Sequence, residues 1–188
     1  MELMDTTLRD GEQTKGVQFD SSAKLAIAQF LLTAAKVKRI EVASARVSSG
    51  EKASVQKICE WARENSLLDS IEVLGFLDKE SVDWVFESGC KTINLLTKGS
   101  LVRLQAQLSQ DEQTHFRKIR ETIDYAHSHG LVANAYLEHW GSAVGGEKEF
   151  TLRAVQNLVE GGVNRIMLAD TLGVMNPMQV FGEVKFLR

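Results

Sequence analysis

Charged and hydroxyl-bearing residues stand directly after several short apolar segments of the chain. The first such place carries Arg9 and Asp10 side by side, inside the polar run 9–14. Carboxylate oxygens are the ligands that hard divalent cations such as Mg²⁺ or Mn²⁺ prefer. A metal beside an arginine can hold an α-keto acid and stabilise a developing oxyanion. The later places contribute Glu41, Ser44, Arg46, Gly75, Phe76 and the runs 97–99, 138–140 and 170–173.

Each of these positions also has a purely structural interpretation. Polar residues at the end of a strand cap the following helix or form a turn, and for any single position we favour that interpretation. The pair Arg9–Asp10 is the exception. It could form a structural ion pair, but a polar run of this length directly after a strand indicates a site.

The elements that must position these residues alternate along the chain. Short, mostly apolar segments typical of buried parallel strands lie at 3–8, 39–43, 71–76, 92–96, 132–137 and 165–168. Repeated strand and helix units predict a parallel α/β sheet, either open and doubly wound or part of an eightfold barrel. Both place ligands at the carboxyl ends of the strands. A glycine-rich phosphate loop is missing from the sequence, which weakens a nucleotide-binding open sheet.

The segments between the strands have apolar residues at helical spacing, which predicts five helices there. A sixth helix is predicted to begin at Asn176-Pro177. A capping box is expected at 109–112, and Gly130 and the pair 161–162 are expected at helix ends. The predicted buried faces are Ile27, Phe30, Leu31 and Ala34; Val55, Ile58, Cys59 and Ala62; Val82, Val85 and Phe86; Phe116, Ile119, Ile123 and Ala126; and Leu152, Val155, Leu158 and Val159.

The composition excludes several classes of protein. The 188 residues are 44% hydrophobic and 25% charged, with a net charge of −3 and one proline. These values are typical of a globular chain without a linker, and they disfavour disorder and a nucleic-acid partner. No apolar run reaches the roughly 18 residues of a membrane helix, and the first residues do not form a signal peptide. The two cysteines make no disulfide framework, so we expect a cytoplasmic location and buried thiols.

Two segments carry a family resemblance. Residues 5–13, Asp-Thr-Thr-Leu-Arg-Asp-Gly-Glu-Gln, resemble the opening signature of the metal-dependent Claisen-condensing and lyase superfamily. Residues 168–174, with Pro177 after them, resemble its sixth-strand motif. This superfamily contains 2-isopropylmalate, citramalate and homocitrate synthases and hydroxymethylglutaryl-CoA lyase. The resemblance implies a (β/α)8 TIM barrel, a divalent metal (Mg, Mn or Zn), acetyl-CoA as co-substrate, and a homodimer in the full-length protein.

The resemblance also implies roles for particular residues. Asp10 matches the metal-binding aspartate, and Arg9 matches the arginine that stabilises enolate charge and contacts the keto acid. Glu138 matches a glutamate with an acid–base or orienting role. Thr171 matches the threonine that binds the keto-acid carboxylate.

A further set of apolar residues bears on substrate size. Leu74, Leu96 and Tyr136 resemble the citramalate synthase pocket, in which bulky groups leave room only for the methyl of pyruvate. Without the motifs, they would be assigned to the barrel core. The expected function is therefore condensation of acetyl-CoA with pyruvate in branched-chain amino-acid biosynthesis. The alternatives are 2-isopropylmalate synthase acting on 2-ketoisovalerate, a hydroxymethylglutaryl-CoA-type lyase, or a truncated non-catalytic fragment.

Other polar residues are expected to have ordinary roles. His127 and His129 are expected at the solvated end of a helix, where residues two apart do not share a face. His115 is expected on the same helix surface, and Lys98 is expected to be a solvated loop lysine. His139 is assigned equally to a substrate contact or to a loop.

The length sets a last expectation. A complete barrel takes about 250 residues, so residues 1–188 are expected to be a partial catalytic barrel of about six units. The remaining units, the His-x-His metal ligands on the seventh strand and the C-terminal domains are expected to be absent.

Overall fold

Six parallel strands form the centre of the fold. The computed structural model describes residues 3–143 and 146–187. Within them every strand pairs with the strand of the preceding unit, in the order β1 to β6. The sheet is curled, as in an incomplete (β/α)8 TIM barrel. The strands are β1 (Met4–Asp5), β2 (Arg39–Ser44), β3 (Ile71–Gly75), β4 (Thr92–Lys98), β5 (Val132–Glu138) and β6 (Arg165–Leu168).

Helices connect the strands. None of the described helices is long and apolar enough to cross a membrane. Short 3₁₀ turns lie at Gly11–Gln13 and Leu68–Ser70, and a π-helical turn lies at Phe30–Ala34. The α-helices are α1 (Ser21–Gln29), α2 (Ser49–Glu64), α3 (Lys79–Glu87), α4 (Leu101–Leu108), α5 (Glu112–Ser128), α6 (Trp140–Ala143), α7 (Lys148–Glu160) and α8 (Pro177–Phe186).

The first helix buries a face that differs in part from the predicted one. Ala28 is buried on α1, and Phe30, two residues further on, lies on nearly the opposite side of the helix and is exposed. The helix then ends in a π-helical turn. The prediction is therefore wrong for Phe30 and Ala34, whereas Ile27 and Leu31 are partly buried against the core. On α2, by contrast, all four predicted core residues are buried.

The predicted faces of the other helices are confirmed only in part. The outermost apolar residues, Phe86 on α3 and Val159 on α7, are exposed. Val82 and Val85 on α3 and Leu158 on α7 are buried, and the other predicted residues of α7 are half-buried. On α5, Ile119, Ile123 and Ala126 are buried. These helices therefore turn a narrower stripe to the core than the apolar spacing predicts.

The helix ends show one correction and two confirmations. Ser109 ends α4 in the left-handed conformation, and Asp111 caps α5 by accepting from the Thr114 backbone N–H. The predicted capping box at 109–112 is wrong because Ser109 closes α4, a helix that the apolar spacing did not reveal. Gly130 and Gly162 adopt positive φ after α5 and α7, as predicted. The Asn176 capping box at the start of α8 is also present.

The two faces of the sheet differ in character. One face carries buried aliphatic residues such as Ile40, Val73 and Ile93 in the main core. The inner face carries fully buried polar residues, namely Glu41, Glu72, Asn94 and Asn134. Side chains alternate between the faces of a strand, so each strand supplies both.

An ion-pair cluster lies at the amino ends of the strands. Arg39 of β2 and Arg165 of β6 both donate to the Glu72 carboxylate on β3, at 3.0 and 3.1 Å. Arg165 and Glu72 are 93 residues apart in sequence. The cluster therefore links strands that are not neighbours in the sheet.

Candidate active site

One pocket at the carboxyl ends of the strands brings together the seven residues to which the family resemblance assigns a role. Its volume is about 520 Å³. It is lined by Arg9, Asp10, Leu74, Leu96, Tyr136, Glu138 and Thr171, and also by Gln13, Ser44, Phe76, Ala169 and Asp170. The structure places these residues around one cavity, while the role of each remains a prediction.

A tight turn after β1 places Arg9 and Asp10 at the pocket. The backbone N–H groups of Arg9, Asp10 and Gly11 all donate to the Thr6 carbonyl, at 3.1, 2.8 and 3.2 Å. Leu8 is buried in the core and anchors the turn. The strand predicted over 3–8 therefore ends at Asp5, because the chain turns at Thr6.

Two carboxylates hold the Arg9 guanidinium. Its Nε donates to Oε2 of Glu41 at 2.5 Å, and its Nη1 donates to Oδ1 of Asp10 at 2.7 Å. The guanidinium carbon lies 6.0 Å from the centre of the Tyr136 ring. Burial lowers the pKa of Arg9, but the two carboxylates outweigh burial and the pKa is raised. Arg9 is thus a fixed positive charge in the pocket wall.

Glu41 is a candidate residue to which the sequence assigned no role, and it is central to the site. It is fully buried on β2 and also accepts from Nδ2 of Asn94 at 2.7 Å. Burial raises the pKa of Glu41, and Arg9 and Asn94 partly counteract that increase. Burial, followed by the Glu41 charge, also raises the pKa of Tyr136. A charged residue within the apolar segment 40–43 was the available sequence signal.

Lys98 and Glu138 form an ion pair at the rim of the pocket. Lys98 also donates to Oε1 of Gln107 at 2.6 Å, and its backbone N–H donates to Nε2 of His115 at 3.3 Å. Lys98 is 7% exposed and His115 is 0% exposed. The expectations of a solvated lysine and a surface histidine are therefore wrong, because α4 and α5 cover the end of β4.

His115 remains neutral inside the protein. Burial, and then the charges of Lys98 and Lys118, lower the pKa of His115 to about 4. Its Nε2 accordingly accepts a hydrogen bond as a neutral imidazole nitrogen.

The loops after β5 and β6 form the other side of the pocket. Oγ1 of Thr171 accepts from the His139 backbone N–H at 2.9 Å. His139 has φ of 62° and does not line the pocket, which supports the loop role among its two predicted roles. The Asp170 carboxylate accepts from the backbone N–H groups of Val174 and Met175, at 3.2 and 2.9 Å, and so shapes the loop after β6.

The remaining predictions concern residues away from the pocket. His127 is exposed near the end of α5, and His129 caps that helix, as predicted. Cys59 and Cys90 are free and buried, as expected of small apolar side chains.

The donors needed for a metal ion are present only in part. Asp10 and Glu138 offer carboxylate oxygens to the pocket. Across residues 3–143 and 146–187, however, no three histidine, cysteine, aspartate or glutamate side chains are grouped so that they could hold one ion. The described side chains therefore do not form a complete metal centre by themselves.

Comparisons with known proteins agree with this architecture. The HMGL-like family matches residues 1–188. The 2-isopropylmalate synthase of Sulfurisphaera tokodaii is 32% identical over 185 residues, covering 97% of this chain and 46% of that protein. A protein named (R)-citramalate synthase from Methanopyrus kandleri is 34% identical over 187 residues, covering 99% of this chain and 35% of that protein. The chain thus spans less than half the length of these relatives.

A solved structure shows the same fold. The HMG-CoA lyase of Bacillus subtilis superimposes with a TM-score of 0.73 at 18% identity, covering 99% of this chain and 63% of that one. At this identity the likeness concerns the fold.

Proposed function

Because the chain belongs to the HMGL-like family, we propose that its pocket binds an α-keto acid for condensation with acetyl-CoA. Pyruvate is the proposed keto acid and citramalate the product, in branched-chain amino-acid biosynthesis. The observation that carries the proposal is the single pocket in which Arg9, Glu138 and Thr171 meet the apolar residues Leu74 and Leu96.

Arg9 is the proposed electrophilic group. Its guanidinium is held in one orientation by Glu41 and Asp10, so its charge is preorganised toward the pocket. When a carbon nucleophile adds to the ketone, the keto oxygen becomes an alkoxide. A fixed cation stabilises this charge more than it stabilises the neutral ketone, which lowers the barrier.

Thr171 and Glu138 have separate proposed roles. The Thr171 hydroxyl lies at the pocket and would hydrogen-bond the keto-acid carboxylate. Glu138 would accept a proton from the acetyl methyl of acetyl-CoA or orient the group that does so. The resulting carbanion would bond to the keto carbon, the alkoxide formed there would take up a proton, and water would cleave the thioester. Acetyl-CoA, pyruvate and water thus become citramalate and free coenzyme A.

The apolar wall supports the choice of pyruvate. Leu74 and Leu96 lie on neighbouring strands, and Leu96 stands opposite Tyr136 in register. All three line the pocket. We propose that they leave space for a methyl group and exclude the branched side chain of 2-ketoisovalerate. The substrate of a 2-isopropylmalate synthase is therefore the second choice.

A divalent cation (Mg, Mn or Zn) is part of the proposal through one residue only. Asp10 would supply one carboxylate oxygen to it, and such an ion would polarise the ketone when bound. We further propose that residues 1–188 are part of a catalytic barrel domain.

A thiol-release assay tests the proposed function. Acetyl-CoA would be incubated with the chain, a divalent cation and either pyruvate or 2-ketoisovalerate, and free coenzyme A would be measured. We expect faster release with pyruvate, and a loss of about 100-fold or more in Arg9→Gln, because that charge acts on the transition state.

Other results would contradict the proposal. Equal inactivity with all keto acids would overturn it for this chain. Faster release with 2-ketoisovalerate would favour a 2-isopropylmalate synthase. Cleavage of hydroxymethylglutaryl-CoA would favour a lyase.

A further inference from the structure

We propose that Asn94 and Asn134 are positioning residues, which orient the Arg9 guanidinium through Glu41. The consequence for catalysis rests on the proposed function, whereas the orientation of Arg9 does not. Neither asparagine lines the pocket, so their influence would pass entirely through other side chains.

The inference starts from a continuous series of hydrogen bonds. Nδ2 of Asn134 donates to Oδ1 of Asn94 at 2.9 Å, and Nδ2 of Asn94 donates to Oε1 of Glu41 at 2.7 Å. The other oxygen of Glu41, Oε2, accepts from Nε of Arg9 at 2.5 Å. We call these four residues the asparagine relay.

Three members of the relay lie inside the sheet and not on the surface. Asn134, Asn94 and Glu41 are each 0% exposed. Asn94 and Asn134 stand opposite each other on β4 and β5, two residues before the pocket residues Leu96 and Tyr136. These three members therefore form a polar layer beneath the pocket floor, where a lost partner is not readily replaced by water.

The direction of the hydrogen bonds favours a charged Glu41. Asn94 receives a hydrogen bond on its carbonyl oxygen, so its NH₂ group faces Glu41 and donates to it. Both Glu41 oxygens then act as acceptors, which is what an ionised carboxylate provides. An ionised Glu41 pairs with Arg9 most strongly, so the two amides help to hold the guanidinium in place.

A role confined to packing makes a different prediction. If Asn94 only fills space, replacing it with an apolar residue of similar size would leave Arg9 unchanged. If Asn94 positions Glu41, the same replacement would leave Oε1 of Glu41 without a hydrogen-bond donor inside the protein. Glu41 would then rotate or take up a proton, and the Nε–H of Arg9 would lose its fixed acceptor.

Nitrogen-15 NMR of the 188-residue chain tests this difference directly. The Nε–H signal of Arg9, assigned by its loss in Arg9→Lys, is expected to be resolved and to exchange slowly with water. We expect Asn94→Leu to accelerate this exchange at least 10-fold, and Asn134→Leu to accelerate it about 3-fold, because Asn134 acts one step further away.

Thr97→Val is the matched control. Thr97 is also 0% exposed on β4, but it lies on the other face, and its hydroxyl donates to the Tyr136 carbonyl at 2.6 Å. This substitution removes a buried hydrogen bond without touching the relay. We expect it to lower stability while the Arg9 signal stays as in the wild type.

The outcomes separate the two proposals. Wild-type exchange in Asn94→Leu, or an unprotected Arg9 signal in the wild type, would overturn the relay. If Asn94→Leu does not fold, Asn134→Leu decides by the same criterion. A wild type without thiol release would overturn the proposed function and leave the NMR result intact. In an active chain, we expect Asn94→Leu to lower kcat with little change in the KM for acetyl-CoA.

Discussion

Lys98 and Glu138 stand opposite each other in register on β4 and β5, and their side chains form an ion pair at the rim of the pocket. Lys98 is almost completely buried, and Gln107 is its other side-chain partner. The lysine therefore holds a proposed catalytic carboxylate in one place.

Lys98→Met removes the cation and keeps most of the side-chain volume. Glu138 then lacks its ionic partner and is free to leave the position in which we propose that it acts. We expect thiol release to fall about 10- to 100-fold and the free energy of unfolding to fall by about 1–3 kcal/mol. Steady-state kinetics and urea denaturation measure the two effects.

Lys91→Met is the control for that substitution. Lys91 pairs with Asp69 on the surface at 3.4 Å, and both residues are mainly exposed. Surface pairs contribute little, so we expect almost no effect on either quantity. Comparable losses of activity and stability in the two variants would show that the Lys98–Glu138 pair contributes no more than an exposed surface pair.

His115 predicts a specific pH dependence of stability. Its pKa is about 4 in the folded protein, against 6.5 for an ordinary histidine. Between these values the unfolded chain binds more protons, so the folded state loses stability as the pH falls from about 6.5 to 4. We expect this contribution to reach at most about 3 kcal/mol.

Urea denaturation at several pH values measures that contribution. His115→Gln should flatten the pH dependence in this window, although its stability at neutral pH will be lower. His127→Gln replaces an exposed histidine and should keep the wild-type slope. If the free energy of unfolding of His115→Gln changes with pH as in the wild type, the pH dependence does not arise from His115.

Leu96→Ala is expected to change substrate preference. The substitution enlarges the apolar wall that we assign to pyruvate selection. The ratio of kcat/KM for 2-ketoisovalerate to that for pyruvate should rise about 10-fold, because a change of one methylene in the fit of an apolar pocket alters kcat/KM by about this factor or more. Leu95→Val, on the opposite face of β4, should leave the ratio unchanged. An unchanged ratio in Leu96→Ala would remove Leu96 from the specificity set.

Gly141→Ala tests the contact between α6 and the loop after β6. A Cβ atom at this position would lie 2.8 Å from Cγ and 3.2 Å from Cα of Asp170. Asp170 would have to move and would lose its hydrogen bonds to the loop. We expect a loss of about 1–3 kcal/mol in the free energy of unfolding, measured by urea denaturation.

Gly182→Ala provides the opposite expectation. This glycine lies within α8, and a Cβ there would meet no atom within 4 Å among the described residues. Alanine is the better helix former, so stability should increase by about 0.5–1 kcal/mol. Equal effects of the two substitutions would contradict the packing at Gly141.

The sequence predicts the order of the strands and of six helices because apolar spacing is a local property, but it misses α4 and the short α6. Five of the six strands lie close to their predicted bounds, and β1 is shorter than predicted. The predicted site residues also meet, since parallel strands bring their carboxyl ends to one edge.

Burial that depends on two distant elements was not predictable in this way. Lys98 and His115 are polar residues whose burial arises from the packing of α4 and α5 over β4. The asparagine relay depends on the register between β2, β4 and β5, which no single segment encodes. Asn94 and Asn134 were visible only as polar residues inside apolar segments.

The strand order also has a consequence for how the chain folds. Each strand pairs with the one made just before it, so the sheet can grow one unit at a time as the polypeptide leaves the ribosome. Short loop closures of this kind favour fast steps. The ion pair between Arg165 and Glu72 spans 93 residues and cannot form until β6 has been synthesised. We therefore expect it to form late, after the neighbouring strands have paired.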